Sequence, residues 1–241
     1  MKNLKTTKPA IILVRPQLPE NIGMVARVMQ NFDLTELILV LPRKRWPNKK
    51  SLDSAKSAKN IIKKVKVYNS LELALSKFNY VVATTNRKRF LEKKILNSFS
   101  NLNKSIISNK KTAIIFGPEN SGLANEDLRL SDCLFTINTS SKNNSLNLSH
   151  AVSIFSYKFY ESFSKNINKL DNHRKLNKLS TKGELSHFTN YLISQLDKVN
   201  FFYPSSKRHS MIDNIYAIFL KASLSKKEVN TLWGMIKKLR K

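Results

Sequence analysis

Residues 10–27 read AIILVRPQLPENIGMVAR. The five apolar residues Ala10–Val14 come first, a turn containing two prolines follows, and the segment ends in apolar positions at helical spacing. A short, wholly apolar run bounded by turn residues is typical of a strand that is buried on both faces of a sheet. The stretch therefore predicts a strand, a turn and a helix in direct succession.

The same alternation recurs along the first two-thirds of the chain. Short runs rich in β-branched or aromatic residues predict further strands at Leu37–Leu41, Lys64–Tyr68, Tyr80–Thr84, Ala113–Phe116 and Leu134–Ile137. Helical spacing of apolar residues predicts helices at Asn21–Asn31, Leu52–Ile62, Leu71–Lys77 and Leu146–Phe163. Strands that alternate with helices indicate an α/β fold with a parallel sheet.

The last third of the chain has a different pattern. Residues 165–180 are polar and basic, which predicts a linker. Two capping boxes, Thr181–Glu184 and Ser225–Glu228, precede apolar stripes, and a third stripe begins at Met211. We therefore predict a domain at 1–164, a basic linker at 165–180 and a small α-helical C-terminal extension at 181–241.

Charge is the most unusual feature of the composition. The 241 residues include 43 Lys and Arg against 16 Asp and Glu, a formal net charge of +27. Such a field favours a polyanionic partner, most often nucleic acid. Lys far outnumbers Arg, so a genome biased toward Lys codons is an alternative source of the charge. The apolar runs are too short for a membrane span. One cysteine, Cys133, excludes a disulfide framework, and the four histidines lack metal-ligand spacing. We expect a cytoplasmic protein with no metal and no membrane partner.

Three junctions between predicted elements combine glycine with polar residues. They are PENIGMVAR at 19–27, IIFGPENSGL at 114–123 and INTSSKNNSLNLSH at 137–150. Gly23, Gly117 and Gly122 lie in the first two, where a glycine indicates positive φ or a close approach of backbone. Asn21 is a candidate helix cap, and the third junction suits a small polar ligand at a helix N-terminus. Taken singly, each junction is also compatible with an ordinary solvated turn.

In this order and at these separations, NxGxxAR, FGPExxGL and SLNLSxAV resemble the motifs of the SpoU branch of SPOUT RNA 2′-O-methyltransferases. The resemblance covers residues 10–163 and is closest to the TrmJ type, which also has a helical extension. It implies a sheet closed by a trefoil knot, an obligate homodimer and S-adenosylmethionine (SAM) as methyl donor. It further implies transfer to the ribose 2′-hydroxyl at position 32 of the tRNA anticodon loop, with tRNA rather than DNA as partner.

The resemblance also implies roles for individual residues. Arg27 would activate the 2′-hydroxyl, and the residues that shape the site would be Asn21, Glu119, Ser145 and Asn147. Cofactor would be held by Thr84, Thr85, Asn86, Gly117, Ile137, Asn144, Ser145 and Leu146. The basic residues expected to contact RNA are Arg87, Lys88, Arg89, Lys207 and Arg208, followed by Lys226 and Lys227. Two positions depart from the family: Pro118 where Arg is frequent, and His150 where a smaller or apolar residue is common.

Other functions stay open at this point. The same chemistry could act on the tRNA wobble position or on ribosomal RNA. A non-catalytic knotted RNA-binding protein would share the fold, but the intact Arg27, Glu119 and Asn147 argue against it. A Rossmann-like enzyme acting on a small molecule is disfavoured by the missing glycine fingerprint and by the charge.

Overall fold

A computed structural model describes residues 8–86, 93–96, 98–108, 111–140, 145–166 and 179–239. Seven strands form one sheet: β1 (Ala10–Val14), β2 (Leu37–Val40), β3 (Lys66–Tyr68), β4 (Tyr80–Thr84), β5 (Lys94–Leu96), β6 (Thr112–Phe116) and β7 (Cys133–Phe135). Their order across the sheet is β3-β2-β1-β6-β4-β7-β5, and every pairing is parallel. The carboxyl ends of the strands therefore share one edge, the carboxyl edge, and their amino ends share the amino edge.

Ten α-helices lie within the described ranges. They are α1 (Pro19–Asn31), α2 (Lys49–Ala55), α3 (Lys59–Lys63), α4 (Leu71–Leu75), α5 (Phe99–Ser108), α6 (Asn125–Arg129), α7 (Leu148–Asn166), α8 (Lys182–Lys198), α9 (Arg208–Lys221) and α10 (Lys226–Leu239). None of the helices in the described part of the chain is long and apolar enough to cross a membrane. The α/β prediction with C-terminal helices is confirmed.

Each face of the sheet builds its own core because successive side chains of a strand point to opposite faces. Ile11 and Leu13 of β1 pack on one face with α1 and α7, whereas Ile12 and Val14 pack on the other face with α4 and α9. The central strands β1 and β6 are buried at every position, which explains why all their residues but Thr112 are apolar.

The C-terminal helices α8 and α9 pack on the second of these faces, and α10 packs on α8. Phe202, Ile212 and Tyr216 belong to the same buried cluster as the sheet residues Ile12 and Val81. At the start of α8, Lys182 pairs with Asp132, and both side chains are nearly buried. Both capping boxes are formed: the Thr181 amide donates to Glu184 at 2.9 Å, and the Ser225 amide donates to Glu228 at 2.7 Å. The extension therefore shares a core with the sheet.

Several sequence predictions need correction. The prediction missed β5, α5 and α6, which are short or carry weak apolar patterns. The single helix expected at Leu52–Ile62 is broken into α2, a 3₁₀ turn and α3, because Lys56 has φ +51° and bends the chain. The helix α1 begins at Pro19, so Asn21 lies inside the helix and is not its cap. Ile137 lies beyond the end of β7.

Of the predicted linker, residues 167–178 lie outside the described residues. Its last two residues are held against the body of the protein. The Asn79 side-chain amide donates to the Leu179 carbonyl at 3.1 Å, and the Ser180 amide donates to the Leu224 carbonyl at 2.9 Å. The chain therefore enters α8 from a fixed position at the amino edge.

Candidate active site

A cavity of about 270 Å³ opens at the carboxyl edge of β4, β6 and β7. Ligands of parallel α/β sheets bind at this edge, where loops from neighbouring strands converge. The lining residues that the sequence had singled out are Thr84, Thr85, Asn86, Gly117, Glu119, Ile137, Ser145 and Leu146. The structure thus brings together seven of the eight predicted cofactor-binding residues; the eighth, Asn144, lies outside the described residues.

The loop after β6 forms one wall of the cavity. A Cβ on Gly117 would lie 2.3 Å from the Leu123 nitrogen and 2.4 Å from the Gly122 carbonyl carbon, so only glycine fits there. Gly122 has φ +67°, and its amide donates to the Pro118 carbonyl at 2.9 Å. The predicted reasons for both glycines, a close backbone approach and positive φ, are confirmed.

Gly23 does not line the cavity and is constrained by the close approach of α2. A Cβ at this position would lie 2.1 Å from Ser54 Oγ and 2.3 Å from the Ser51 carbonyl oxygen. The glycine thus lets α2 pack directly on α1. Its role in positioning the site is to set the orientation of the helix that carries Asn21.

The loop after β4 forms the opposite wall and is tied to both neighbouring strands. Thr84 Oγ1 donates to the Ile115 carbonyl at 2.9 Å, and the Thr85 amide donates to the Phe135 carbonyl at 3.0 Å. The Asn86 amide donates to Thr139 Oγ1 at 3.2 Å. These bonds hold the wall in place, since they connect it to β6, to β7 and to the segment that follows β7.

A chain of polar side chains joins the three sequence motifs beside the cavity. Asn21 donates from Nδ2 to Oε1 of Glu119 at 2.7 Å, and Asn147 donates from Nδ2 to Oδ1 of Asn21 at 3.3 Å. Glu119 Oε2 also accepts the backbone amide of Gln17 at 3.0 Å. Asn147 Oδ1 accepts both the amide and the hydroxyl of Ser149 at 2.8 Å. The network fixes the loop after β1, the loop after β6 and the start of α7 relative to one another.

Arg27 is placed differently from the other predicted catalytic residues. It lies on the exposed side of α1 and is not among the residues that line the cavity. Asn21, six residues earlier on the same helix, is buried and faces Glu119. Residues six apart point in well-separated directions on a helix. Within a single copy of the protein, Asn21, Glu119 and Asn147 therefore lie together, and Arg27 lies apart from them.

The residues predicted to contact RNA differ in their surroundings, and their role stays a prediction. Arg87, Lys88 and Arg89 lie outside the described residues. Lys207 is exposed, but Arg208 donates to both carboxylate oxygens of Asp197 at 2.9 and 3.3 Å. Lys226 pairs with Glu184 at 2.8 Å, whereas Lys227 is exposed.

The two departures from the family are visible in the structure. Pro118 lines the cavity, so the loop presents a rigid apolar surface at that position. His150 is exposed in the first turn of α7. The lone Cys133 is buried in β7, and burial raises the pKa of its thiol to about 11.

Sequence reasoning missed two features near the site. Arg15 pairs with the nearly buried carboxylate of Asp127, which ties the loop after β1 to α6. The exposed basic run 43–45 follows β2 at the carboxyl edge, and the Arg43 amide donates to the Pro16 carbonyl at 3.1 Å. The second feature has a sequence signal, since three basic residues come one proline after a predicted strand.

Comparisons with known proteins agree with this geometry. Residues 8–157 match the model of the SpoU rRNA Methylase family. A relative from Pseudomonas aeruginosa, the tRNA (cytidine/uridine/adenosine-2′-O-)-methyltransferase TrmJ, is 29% identical over 96% of this chain and 93% of its own length. An "uncharacterized tRNA/rRNA methyltransferase" from Haemophilus influenzae is 28% identical over 96% of this chain and 94% of its own. The crystal structure of TrmJ from Z. mobilis ZM4 superposes with a TM-score of 0.88 at 31% identity, covering 98% of this chain and 100% of that one.

Proposed function

This chain belongs to the SpoU rRNA methylase family, and on that premise we propose that it transfers a methyl group from SAM to a ribose 2′-hydroxyl of tRNA. The target would be cytidine or uridine at position 32 of the anticodon loop. The observation that carries the proposal is the Asn21–Glu119–Asn147 network, which brings all three motifs to one cavity. A relative of nearly equal length that is named as a tRNA 2′-O-methyltransferase supports the substrate class.

The cavity fits a nucleoside-like methyl donor. Phe116, Phe135 and Ile137 supply apolar surface for a base, and Thr84, Asn86 and Ser145 supply polar groups for a sugar. The missing side chain at Gly117 lets the loop after β6 fold back on itself against Gly122 and Leu123, which sets the shape of the cavity wall. SAM, when bound, supplies a methyl group already activated by its positive sulfur.

The residues of the chain then have two tasks. They must hold the ribose hydroxyl in line with the methyl carbon, and they must help to remove its proton. Glu119 and Asn147 are suited to the first task because both are fixed by hydrogen bonds to backbone or to Ser149. Arg27 is the candidate for the second task, either directly or by orienting a phosphate of the RNA.

A homodimer would bring Arg27 of a second copy to this site. Exposed apolar side chains lie on the same surface of α1 and α7, namely Met24, Tyr157 and Tyr160. Phe32 contacts both tyrosine rings, with centroids 5.9 and 6.1 Å apart, so this surface is continuous. We propose that two copies meet through it. Light scattering on the variant Tyr160→Glu tests this, and a monomeric variant is the expected result.

The trefoil knot and the domain division belong to the same proposal. Strand β7 lies between β4 and β5, which precede it in the chain, and β6 lies between the earlier strands β1 and β4. Strands that come late in the chain thus lie between earlier ones. This arrangement supports a knot, in which the chain has passed through a loop formed by earlier residues. We place the methyltransferase domain at 1–164, the linker at 165–180 and the extension at 181–241. A tRNA substrate supports a cytoplasmic location.

The test is methyl transfer from SAM to unmodified tRNA transcripts, with the methylated nucleotide located by mass spectrometry of nuclease fragments. We expect a ribose methyl group at position 32. A methyl group at the wobble position, or transfer only to ribosomal RNA, would keep the chemistry and change the substrate. Failure of the protein to bind SAM in calorimetry would contradict the enzymatic proposal and favour a non-catalytic RNA-binding protein.

A further inference from the structure

The loop between α8 and α9, residues 199–207, exposes three large side chains that the proposed active site does not use. Tyr203 is 85% exposed, Val199 is 71% exposed and Phe201 is 48% exposed. Most large apolar side chains of this protein are buried, so a cluster of exposed ones on a single loop points to a partner.

The loop is ordered by its own backbone. The amides of Val199 and Phe201 both donate to the Leu196 carbonyl, at 3.3 and 3.1 Å, and the Tyr203 amide donates to the Phe201 carbonyl at 3.0 Å. Phe202 anchors the loop: its ring is buried and meets the Phe201 ring edge-on at 5.3 Å. The backbone that carries the aromatic side chains is therefore fixed before any partner binds, which lowers the entropy lost on binding.

The loop lies at the same edge of the sheet as the cavity. Helix α8 starts at the amino edge, where the Lys182 amide donates to the Phe78 carbonyl at 2.8 Å. Helix α9 ends at that edge, where Leu220 and Lys221 line a cavity with Tyr80 and Asp132. A helix of this length spans about 25 Å, whereas a five-residue strand spans about 17 Å. The connection between the two helices therefore lies beyond the carboxyl edge.

The charge around the loop favours an anionic partner. Its neighbouring carboxylates are neutralised internally, Asp197 by Arg208 at 2.9 Å and Asp213 by Arg129 at 3.2 Å. Lys198 and Lys207 remain exposed on either side of the aromatic residues. The exposed basic run 43–45 lies at the same carboxyl edge. An aromatic surface flanked by lysines matches an unpaired nucleotide, whose base stacks while its phosphates meet the cations.

We propose that the 199–207 loop is a stacking platform for the substrate RNA. The ring of Tyr203 stacks on an unpaired base of the tRNA, and Lys198 and Lys207 contact the phosphates beside it. This inference rests on the proposed function, because it takes tRNA as the ligand. The platform would help to hold the RNA while the target ribose enters the cavity.

The test compares Tyr203→Ala with Tyr203→Phe, which keeps the aromatic ring. Fluorescence anisotropy with unmodified labelled tRNA gives the Kd. We expect the alanine variant to bind about tenfold more weakly and the phenylalanine variant to bind like the wild type. Ile218→Ala is the matched control, since Ile218 is 61% exposed on α9 but lies outside the loop.

A salt titration separates stacking from charge. Because stacking neutralises no phosphate, Tyr203→Ala should leave the slope of log K against log salt unchanged. Lys207→Gln should lower the magnitude of that slope by about one. A wild-type Kd for Tyr203→Ala would overturn the platform, and so would a change in its oligomeric state, which would identify the loop as a protein interface. Absence of methyl transfer by the wild-type protein would instead overturn the proposed function.

Discussion

The side-chain amide of Asn21 donates to Oε1 of Glu119 at 2.7 Å, which joins helix α1 to the loop after β6 across 98 residues of sequence. Asn21 is buried, and its Oδ1 accepts a bond from Asn147 at 3.3 Å. Asn21 therefore connects two loops that each form part of the cavity wall. A buried amide that both donates and accepts restricts the geometry of both partners.

Replacing Glu119 with Gln should lower methyl transfer and destabilise the protein by about 1–3 kcal/mol. The substituted amide offers one acceptor oxygen, whereas Glu119 now accepts from Asn21 through Oε1 and from the Gln17 amide through Oε2. Turnover on tRNA and urea unfolding measure the two effects. Glu126→Gln is the control, because Glu126 is exposed on the nearby helix α6. Equal loss of activity in both variants would argue against a special role for Glu119.

Replacing Gly117 with Ala should weaken SAM binding. The added Cβ would lie 2.3 Å from the Leu123 nitrogen, so the loop after β6 must move away from its present path. Calorimetry with SAM measures the change in affinity. Gly234→Ala is the matched control: no atom lies within 4 Å of a Cβ built at that exposed position in α10, and alanine favours a helix. Unchanged SAM affinity in Gly117→Ala would place the ligand elsewhere.

Replacing Arg27 with Ala should reduce methyl transfer by about a hundredfold or more while leaving SAM affinity nearly unchanged. SAM affinity should not change because Arg27 lies on the exposed side of α1, outside the lining of the cavity. Single-turnover kinetics and calorimetry separate the two quantities. Arg27→Lys keeps the charge but removes the planar fork, and Lys59→Ala, on exposed α3, controls for loss of surface charge. Wild-type turnover by Arg27→Ala would contradict the assignment.

The free energy of unfolding should rise as the pH is raised from 8 to 9, because the amine of Lys93 gives up its proton at a lower pH in the folded chain than in the unfolded one. Burial lowers the pKa of its amine from 10.5 to about 8, so in this range the unfolded chain binds more protons than the folded one. Stability rises with pH wherever the unfolded state binds more protons. Above pH 9 Cys133 has the opposite effect. Burial raises the pKa of its thiol from 9.0 to about 11, so the folded chain binds more protons and stability falls as the pH rises.

Urea unfolding at pH 7.5 to 9 measures this dependence. The variant Lys93→Met should lose the rise, whereas Lys94→Met, which changes an exposed neighbour, should keep it. Identical pH profiles for the wild type and Lys93→Met would show that the amine of Lys93 does not titrate in this range.

The elements that the sequence predicted best are the strands that are buried along their whole length. Strands β1 and β6 are buried at every position, so their runs of apolar residues carry an unambiguous pattern. Strand β5, by contrast, exposes Lys94 and Ile95 and gives no such signal. Helix α6 has only five residues and is held by contacts to distant parts of the chain, among them the Arg15–Asp127 pair. Local periodicity does not contain that information.

The same contrast holds for the site. The motif residues Glu119 and Asn147 were identified from short sequence patterns; Glu119 lines the cavity, and Asn147 is linked to it through Asn21. That Asn21 is an internal link and not a helix cap could not be predicted, because α1 starts two residues earlier at Pro19. The position of Arg27 away from the cavity depends on the rotation of α1 about its axis, which is set by packing against α2 and α7.

By itself, the sequence determined the parallel α/β class, the helical extension, the strong positive charge and the motifs of the family. These depend on residue type and local spacing, which a sequence states directly. The order of the strands and the bonds from Asn21 to Glu119 and from Asn147 to Asn21 follow only from the tertiary structure. Each of these depends on contacts between residues far apart in the chain. Such contacts form only when the strands pair in register and helices pack on both faces of the sheet.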